Sequence, residues 1–361
     1  MLPDAERFRR LVDGRLTGLL PTCARAGLAL AAVPYGLAVT LRNASFDHHL
    51  RTIAKAPVPV IAVGNLTLGG TGKTPLVAWL ARYLAERGWR PAVVSRGYGA
   101  ARGHRSDEAA ELGLLLPDTP HHADPRRIRA TQAAAASGAT VVLLDDGFQH
   151  RQLARDLNLV VIDATDPFGS ERLFPRGLLR EPITGLRRAD AVILTRADRV
   201  SAATRQTIRE RSARLCGDRP LPWLETSHKP VQLRAADGTT APLSTLANRR
   251  LFGFAGIGNP AAFQGTLGER GRDLVGFMAF ADHHPYDHAD LRELARQAHA
   301  VNAEMAVTTL KDLVKLPQTD LAGIPLVAVE IGIAFHGETA GLETLLAGLR
   351  VPGGTGHEAG T

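Results

Sequence analysis

Cysteine is almost missing from this chain. Of its 361 residues only Cys23 and Cys216 are cysteines, which can build neither a disulfide framework nor a thiolate metal cluster. A reducing cytosol is the simplest setting. Aromatic side chains are scarce at 5%, and no basic stretch is interleaved with stacking residues, which argues against nucleic acid as a partner. Internal repeats are absent, so solenoids and propellers are excluded. A full membrane-spanning run is lacking too. The N-terminal candidate, AGLALAAVPYGLAVTL between Arg25 and Arg42, would span roughly 24 Å as a helix against a hydrocarbon core of ~30 Å, and Pro34 would kink it.

What is present reads as a folded protein with room for two ordinary domains: 45% of residues are hydrophobic and 22% charged. The net charge of +7, carried mostly by arginine, suits an anionic lipid surface or a phosphorylated substrate. For the N-terminal stretch three readings compete. A secretory signal would export a nucleotide-binding domain away from its nucleotide. A helix could pack on the protein's own core. The flanking arginines favour the third, an interfacial helix on an anionic membrane face.

Short apolar runs then alternate with helical patterns. Strands are expected at 58–64, 91–97, 140–146, 157–163 and 190–196, and helices at 75–87 and 125–137. Apolar runs of this length, bounded by Gly, Asp or Arg, fit strands buried on both faces of a parallel sheet. A second set at 249–257, 273–280, 303–309 and 325–333, with a helix at 288–301, reads as a smaller α/β domain. Residues 233–249 read as a connecting turn or hairpin. The expected organisation is an apolar membrane-associated segment (1–42), a nucleotide-binding α/β domain (43–225), a smaller α/β domain (226–350) and a Gly-rich tail (351–361).

The strongest signal is VGNLTLGGTGKTP at 63–75. Gly69, Gly70, Thr71 and Gly72 follow a strand and open a helix. Glycines let backbone N–H groups converge on phosphate oxygens, and the helix dipole adds to the attraction. Lys73 can reach the β/γ-phosphates of a nucleotide and Thr74 can hold Mg²⁺. The first glycine of the phosphate-loop consensus is replaced by Thr67. The usual acidic partner of such a loop ends a later strand, and VVLLDD supplies Asp145 and Asp146. In a strand their side chains would point to opposite faces, so they should not share one task.

Other loops add chemistry. SRGYGAARGHRSDEAA (95–110) sets Arg96, Arg102, His104 and Arg105 before Asp107 and Glu108, cations gathered near a candidate base. DDGFQH places Gln149 and His150 after the strand-end acids, and the irregular PFGSERLFPRGLLREP (167–182) ends on Arg180 and Glu181. Loops at the C-terminal ends of parallel strands are where open α/β sheets bind ligands. The cluster FADHHPYDH holds Asp282, His283, His284, Asp287 and His288. It can serve catalysis or bind a metal.

Taken together, GNLTLGGTGKTP, SRGYG, the acids at 107–108, DDGFQH, LLREP and DHHPY resemble the tetraacyldisaccharide 4'-kinase family of lipid A synthesis, over roughly residues 55–315. The resemblance implies a P-loop NTPase-like parallel-sheet domain and a second α/β domain joined by a hinge, with the site in a cleft. It also implies Mg²⁺-dependent transfer of the γ-phosphate of ATP to the 4'-hydroxyl of an acylated disaccharide 1-phosphate, at the cytoplasmic face of the inner membrane. No protein partner is implied.

Carried over by motif, Thr67, Leu68, Gly69, Gly70, Thr71, Gly72, Lys73 and Thr74 would hold ATP. Asp107 would pair with His283, or less readily His284, to activate the hydroxyl. Asp145, Asp146 and Glu181 would organise Mg²⁺, with Arg96, Gln149, His150 and Arg180 facing substrate or phosphate. The 167–182 loop departs from the family pattern, as does Leu310 in TTLKD. A rival class is a P-loop switch or metallochaperone-type protein, for which LTRAD (194–198) faintly suggests a base-reading strand end.

Overall fold

The computed structural model describes residues 5–97, 107–217, 219–268, 273–316 and 318–350. Arg102, His104 and Arg105 lie outside the described residues, as does the 351–361 tail. The chain divides into two compact units. One comprises 1–98, 116–228 and 333–361, and the other 99–115 and 229–332.

The first unit carries the strands β1 Val60–Gly64, β2 Pro91–Ser95, β3 His121–Ala123, β4 Val141–Asp145, β5 Leu157–Asp163, β6 Ala191–Thr195 and the start of β7 Trp223–Arg234. Their spatial order is β7-β6-β5-β1-β4-β2-β3, and the pairings are parallel. Strands β1, β4 and β6 are buried at every position, as expected when helices cover both faces. Two apolar clusters hold the sheet: Val60, Ala62, Val142 and Leu144 with Ala130 and Ala134, and Val160, Ile162, Val192 and Leu194 with Phe148 and Ile208.

The second unit contains the rest of β7 with β8 Thr240–Ala241, β9 Arg250–Ala255, β10 Asp273–Ala279, β11 Met305–Thr309, β12 Asp320–Leu321 and most of β13 Ile324–His336. Its order is β10-β9-β11-β13-β7. The β10-β9-β11-β13 pairings are parallel, and β8 folds back antiparallel on β7 as a hairpin. Phe263 and Leu267 of the helix Pro260–Gly268 pack on Leu251, Val307 and Val329. The architecture is thus a P-loop NTPase-like parallel sheet with a second, smaller α/β unit.

The N-terminal segment differs from its expectation. A single helix runs Leu19–Asp47, 29 residues, with Pro34 inside it, so its length along the chain is about 43 Å at 1.5 Å per residue. It is long and apolar enough to cross a membrane by length and composition. Only 6% of its most apolar window is buried, which rules out the core-packed reading. Leu19, Leu20, Leu30, Val33, Leu37 and Leu41 are exposed. Its C-terminal end, by contrast, is anchored: Phe46 is buried, Arg151 donates to the Asn43 carbonyl at 2.9 Å, and Arg151 pairs with Asp47 at 2.6 Å.

Candidate active site

Strand β1 delivers the chain into the glycine turn. Beyond Gly64 the residues Asn65, Leu66 and Thr67 are buried. The irregular 167–182 loop doubles back to line them. Leu68 N–H donates to the Leu178 carbonyl at 2.7 Å and Arg180 N–H to the Leu66 carbonyl at 2.8 Å, with Thr67 bridged to Leu179. This extended pairing explains why threonine can stand where the consensus has glycine: the backbone there needs no left-handed turn. The turn comes later, with φ of +112° at Gly69 and +83° at Gly72. Gly72 caps the helix Lys73–Ala85. A Cβ at Gly72 would lie 2.2 Å from the His228 ring, so glycine is required twice over, by backbone and by space.

Lys73 Nζ is held 3.1 Å from Asn65 Oδ1 and 3.3 Å from Asp146 Oδ1. Asn65 itself is fixed by donating to the Thr67 carbonyl at 2.7 Å. Asp145 ends β4 and is buried, whereas Asp146 has left-handed φ of 51° and lies just past the strand. Arg180 Nη1 sits 2.6 Å from Asp146 Oδ2. Burial would push the Asp146 carboxyl up, but Lys73 and Arg180 together outweigh it and hold the pKa at about 2.

Glu181 is 1% exposed and fully engaged. Its Oε1 accepts from Gln149 at 3.0 Å, and its Oε2 from Asn43 at 3.0 Å and Arg188 at 2.7 Å. Gln149 also donates to the Asn65 carbonyl at 2.8 Å, and Arg42 donates to the Gln149 carbonyl at 2.6 Å. The Leu19–Asp47 helix therefore reaches the site through Arg42 and Asn43. His150 follows; burial, then the charges of Arg127, Arg155, Arg42 and Arg96, push its pKa down to about 4. A neutral imidazole ringed by guanidinium groups suits an anionic ligand.

In the second unit, Asp107 begins the helix Asp107–Leu115, and its Oδ2 lies 3.2 Å from His283 Nδ1. Lys315 Nζ stands 3.5 Å from the same oxygen and 3.5 Å from the fully buried Asp312. His283 Nε2 faces Lys311 Nζ at 3.2 Å, and Lys311 pairs with Asp282 at 2.9 Å. A lysine donating to Nε2 leaves the Nδ1 proton for Asp107, which orients the carboxylate. His283 has left-handed φ of 60°, a strained conformation of the sort found at functional positions.

The neighbouring histidine meets different partners. His284 Nε2 bonds Asp290 at 2.8 Å and its ring packs against Phe280, tilted, and Tyr286, edge-on. Asp290 and Asp287 form the capping box of the helix His288–Ala300. Those acids are thereby committed to structure, and among the described residues no group of three acidic, histidine or cysteine side chains could hold a metal.

Sequence reasoning missed several of these residues. Arg42, Asn43 and Arg127 sit outside any motif, and Lys311 and Lys315 lie beyond DHHPY. Leu310, at the position of a family departure, is a buried residue of the short helix Leu310–Leu313.

A family described as tetraacyldisaccharide-1-P 4'-kinase matches residues 24–350. A tetraacyldisaccharide 4'-kinase from an Anaeromyxobacter species is 40% identical over 326 residues, 85% of this chain and 86% of the relative. One from Syntrophus aciditrophicus is 40% identical over 317 residues, 81% and 84% of the two chains. Among solved structures, an "apo" form of LpxK from Aquifex aeolicus in complex with ATP superposes with a TM-score of 0.72 at 28% identity, covering 90% of this chain and 98% of that one.

Proposed function

Because the chain belongs to the tetraacyldisaccharide-1-P 4'-kinase family, we propose that it transfers the γ-phosphate of ATP to the 4'-hydroxyl of an acylated disaccharide 1-phosphate. The observation that carries this reading over a nucleotide-controlled switch is the 3.2 Å contact of Asp107 with His283. A switch needs no base, whereas a sugar hydroxyl attacking phosphorus does. Residues 67–74 hold the triphosphate, with the N–H groups of the glycine turn and Lys73 taking its charge. Asp107, oriented by His283 and Lys315, accepts the hydroxyl proton as the new O–P bond forms and the bond from the γ-phosphorus to the bridging oxygen breaks, with ADP as the leaving group.

The donor set also fits a divalent cation. The described residues form no acidic cluster, so Mg²⁺ would be held by the Thr74 hydroxyl, Asp145 or Asp146, and the phosphate oxygens themselves. Bound there, it would neutralise charge on the transferring group. Glu181 braces Gln149 and Arg188, and Arg96, His150 and Arg180 gather acceptor or donor phosphates.

The exposed apolar face of the Leu19–Asp47 helix lies on or in an anionic bilayer, which brings the enzyme to a lipid acceptor at the cytoplasmic face. A chain lacking residues 1–40 should lose sedimentation with anionic vesicles; full retention would refute the membrane role. The kinase reading is tested by ATP turnover. Little hydrolysis is expected with ATP and Mg²⁺ alone and steep stimulation on adding the acyl-disaccharide; acceptor-independent hydrolysis would favour the switch.

A further inference from the structure

The strand-end sequence LTRAD, read from sequence as a possible base-reading element, makes another set of contacts. Thr195, the last residue of β6, is fully buried. Its hydroxyl donates to the Thr71 carbonyl at 2.8 Å. The next residue, Arg196, has left-handed φ of 53°. Its Nη2 donates to the Gly70 carbonyl at 3.0 Å, while Nη1 is paired with Asp163 at the end of β5.

Two successive carbonyls of the phosphate loop are thus tied down by two successive residues of one strand end. In a trans peptide the C=O and N–H point in opposite directions. Fastening the carbonyls of Gly70 and Thr71 therefore fixes the direction of the N–H groups of Thr71 and Gly72, which share those peptide planes. They face away from the β6 end that holds the carbonyls. Glycine on both sides of Thr71 leaves this turn little intrinsic preference for one peptide orientation.

We propose that Thr195 and Arg196 are positioning residues that set the N–H groups of the phosphate loop against the nucleotide's phosphates, with Asp163 fixing the guanidinium. Both act through the loop backbone. A turn whose peptides are free to flip offers its N–H groups to phosphate only part of the time, and its apparent affinity falls by that fraction. The brace removes this loss in advance, so its effect belongs to the nucleotide and not to the acceptor.

The inference rests on the reading of residues 67–74 as the ATP site, so its test measures ATP binding directly as well as turnover. In the full-length protein, Thr195→Val keeps the volume and removes the donor, Thr195→Ser restores the donor, and Arg196→Gln removes the second tie. Equilibrium binding of ATP should weaken about 10-fold in Thr195→Val and in Arg196→Gln, the scale of one lost hydrogen bond. Thr195→Ser should bind like the parent. The KM for ATP should rise in parallel while the KM for the acyl-disaccharide stays put.

Unchanged ATP affinity in both Thr195→Val and Arg196→Gln, with the parent binding normally, would overturn the brace and leave the ATP site standing. Failure of Thr195→Ser to recover, or an equal rise in both KM values, would also overturn it by showing a general structural defect. A parent that binds no ATP would remove both readings.

Discussion

Replacing Gly72 by alanine makes a sharp test, because the structure separates its cost into two parts. Gly72 has φ of +83°, where an L-residue with a Cβ loses roughly 1–2 kcal/mol. The new Cβ would also stand 2.2 Å from His228 Cε1 and 2.3 Å from Nε2, well inside van der Waals contact. Relieving that overlap requires the ring to move, at a cost on the order of 1–3 kcal/mol. The expected loss for Gly72→Ala is thus about 2–5 kcal/mol in urea denaturation.

Truncating the ring should recover only the second part. In a double-mutant cycle with His228→Ala, the alanine at 72 should cost about 1–2 kcal/mol, the backbone share alone. ATP affinity should remain depressed, since the strained turn still misdirects its N–H groups. Strict additivity of the two substitutions would refute the steric argument. A Gly72→Ala protein as stable as the parent would refute the backbone argument as well.

Other predictions follow from the same geometry. Asp107→Asn and His283→Ala should each lower kcat by 10²-fold or more, the scale of a lost general base, while ATP binding in both stays within about twofold; unchanged turnover in both would remove the pair. Burial, then the charge of Arg196, pushes the His228 pKa down to about 4. The unfolded imidazole takes its proton near ~6.5, so the unfolded chain binds more protons between those values and stability falls as pH drops through that window. Roughly 1 kcal/mol should be lost between pH 7.5 and 5.5, and His228→Asn should flatten that slope in urea titrations; an identical slope would place the titration elsewhere.

Much of the fold could be read along the chain because its signals are local. Continuous apolar runs marked β1, β2, β4, β5 and β6 to within two residues, and the glycine turn with its lysine marked the phosphate loop. The extent of the N-terminal helix could not be read this way. Arg42 looked like the charged edge of an apolar segment, yet the helix runs on to Asp47 because Arg42 and Asn43 find Gln149 and Glu181 more than 100 residues away. Strand β7 was missed for a similar reason. WLETSHKPVQLR mixes Pro230 and charges with buried Thr226, Ser227 and Leu233, so no clean alternation announces it.

The site shows the same division. The contact of Asp107 with His283 was expected only through motif resemblance, for the two lie 176 residues apart and no local pattern joins them. Local pattern could not choose between His283 and His284. The structure distinguishes their surroundings: one ring meets Asp107 and Lys311, and the other meets Asp290 and two aromatic rings. The contacts of Thr195 and Arg196 could not be read along the chain, because their partners, Thr71 and Gly70, are 124 and 126 residues away.

The central claim is a phosphoryl transfer from ATP to a glycolipid alcohol, and the most direct measurement follows the phosphorus. Purified protein, Mg²⁺, ATP labelled at the γ-position and tetraacyldisaccharide 1-phosphate should yield an organic-soluble glycolipid carrying the label as a 4'-monoester. Label that stayed on the nucleotide, or appeared only as inorganic phosphate, would contradict the account.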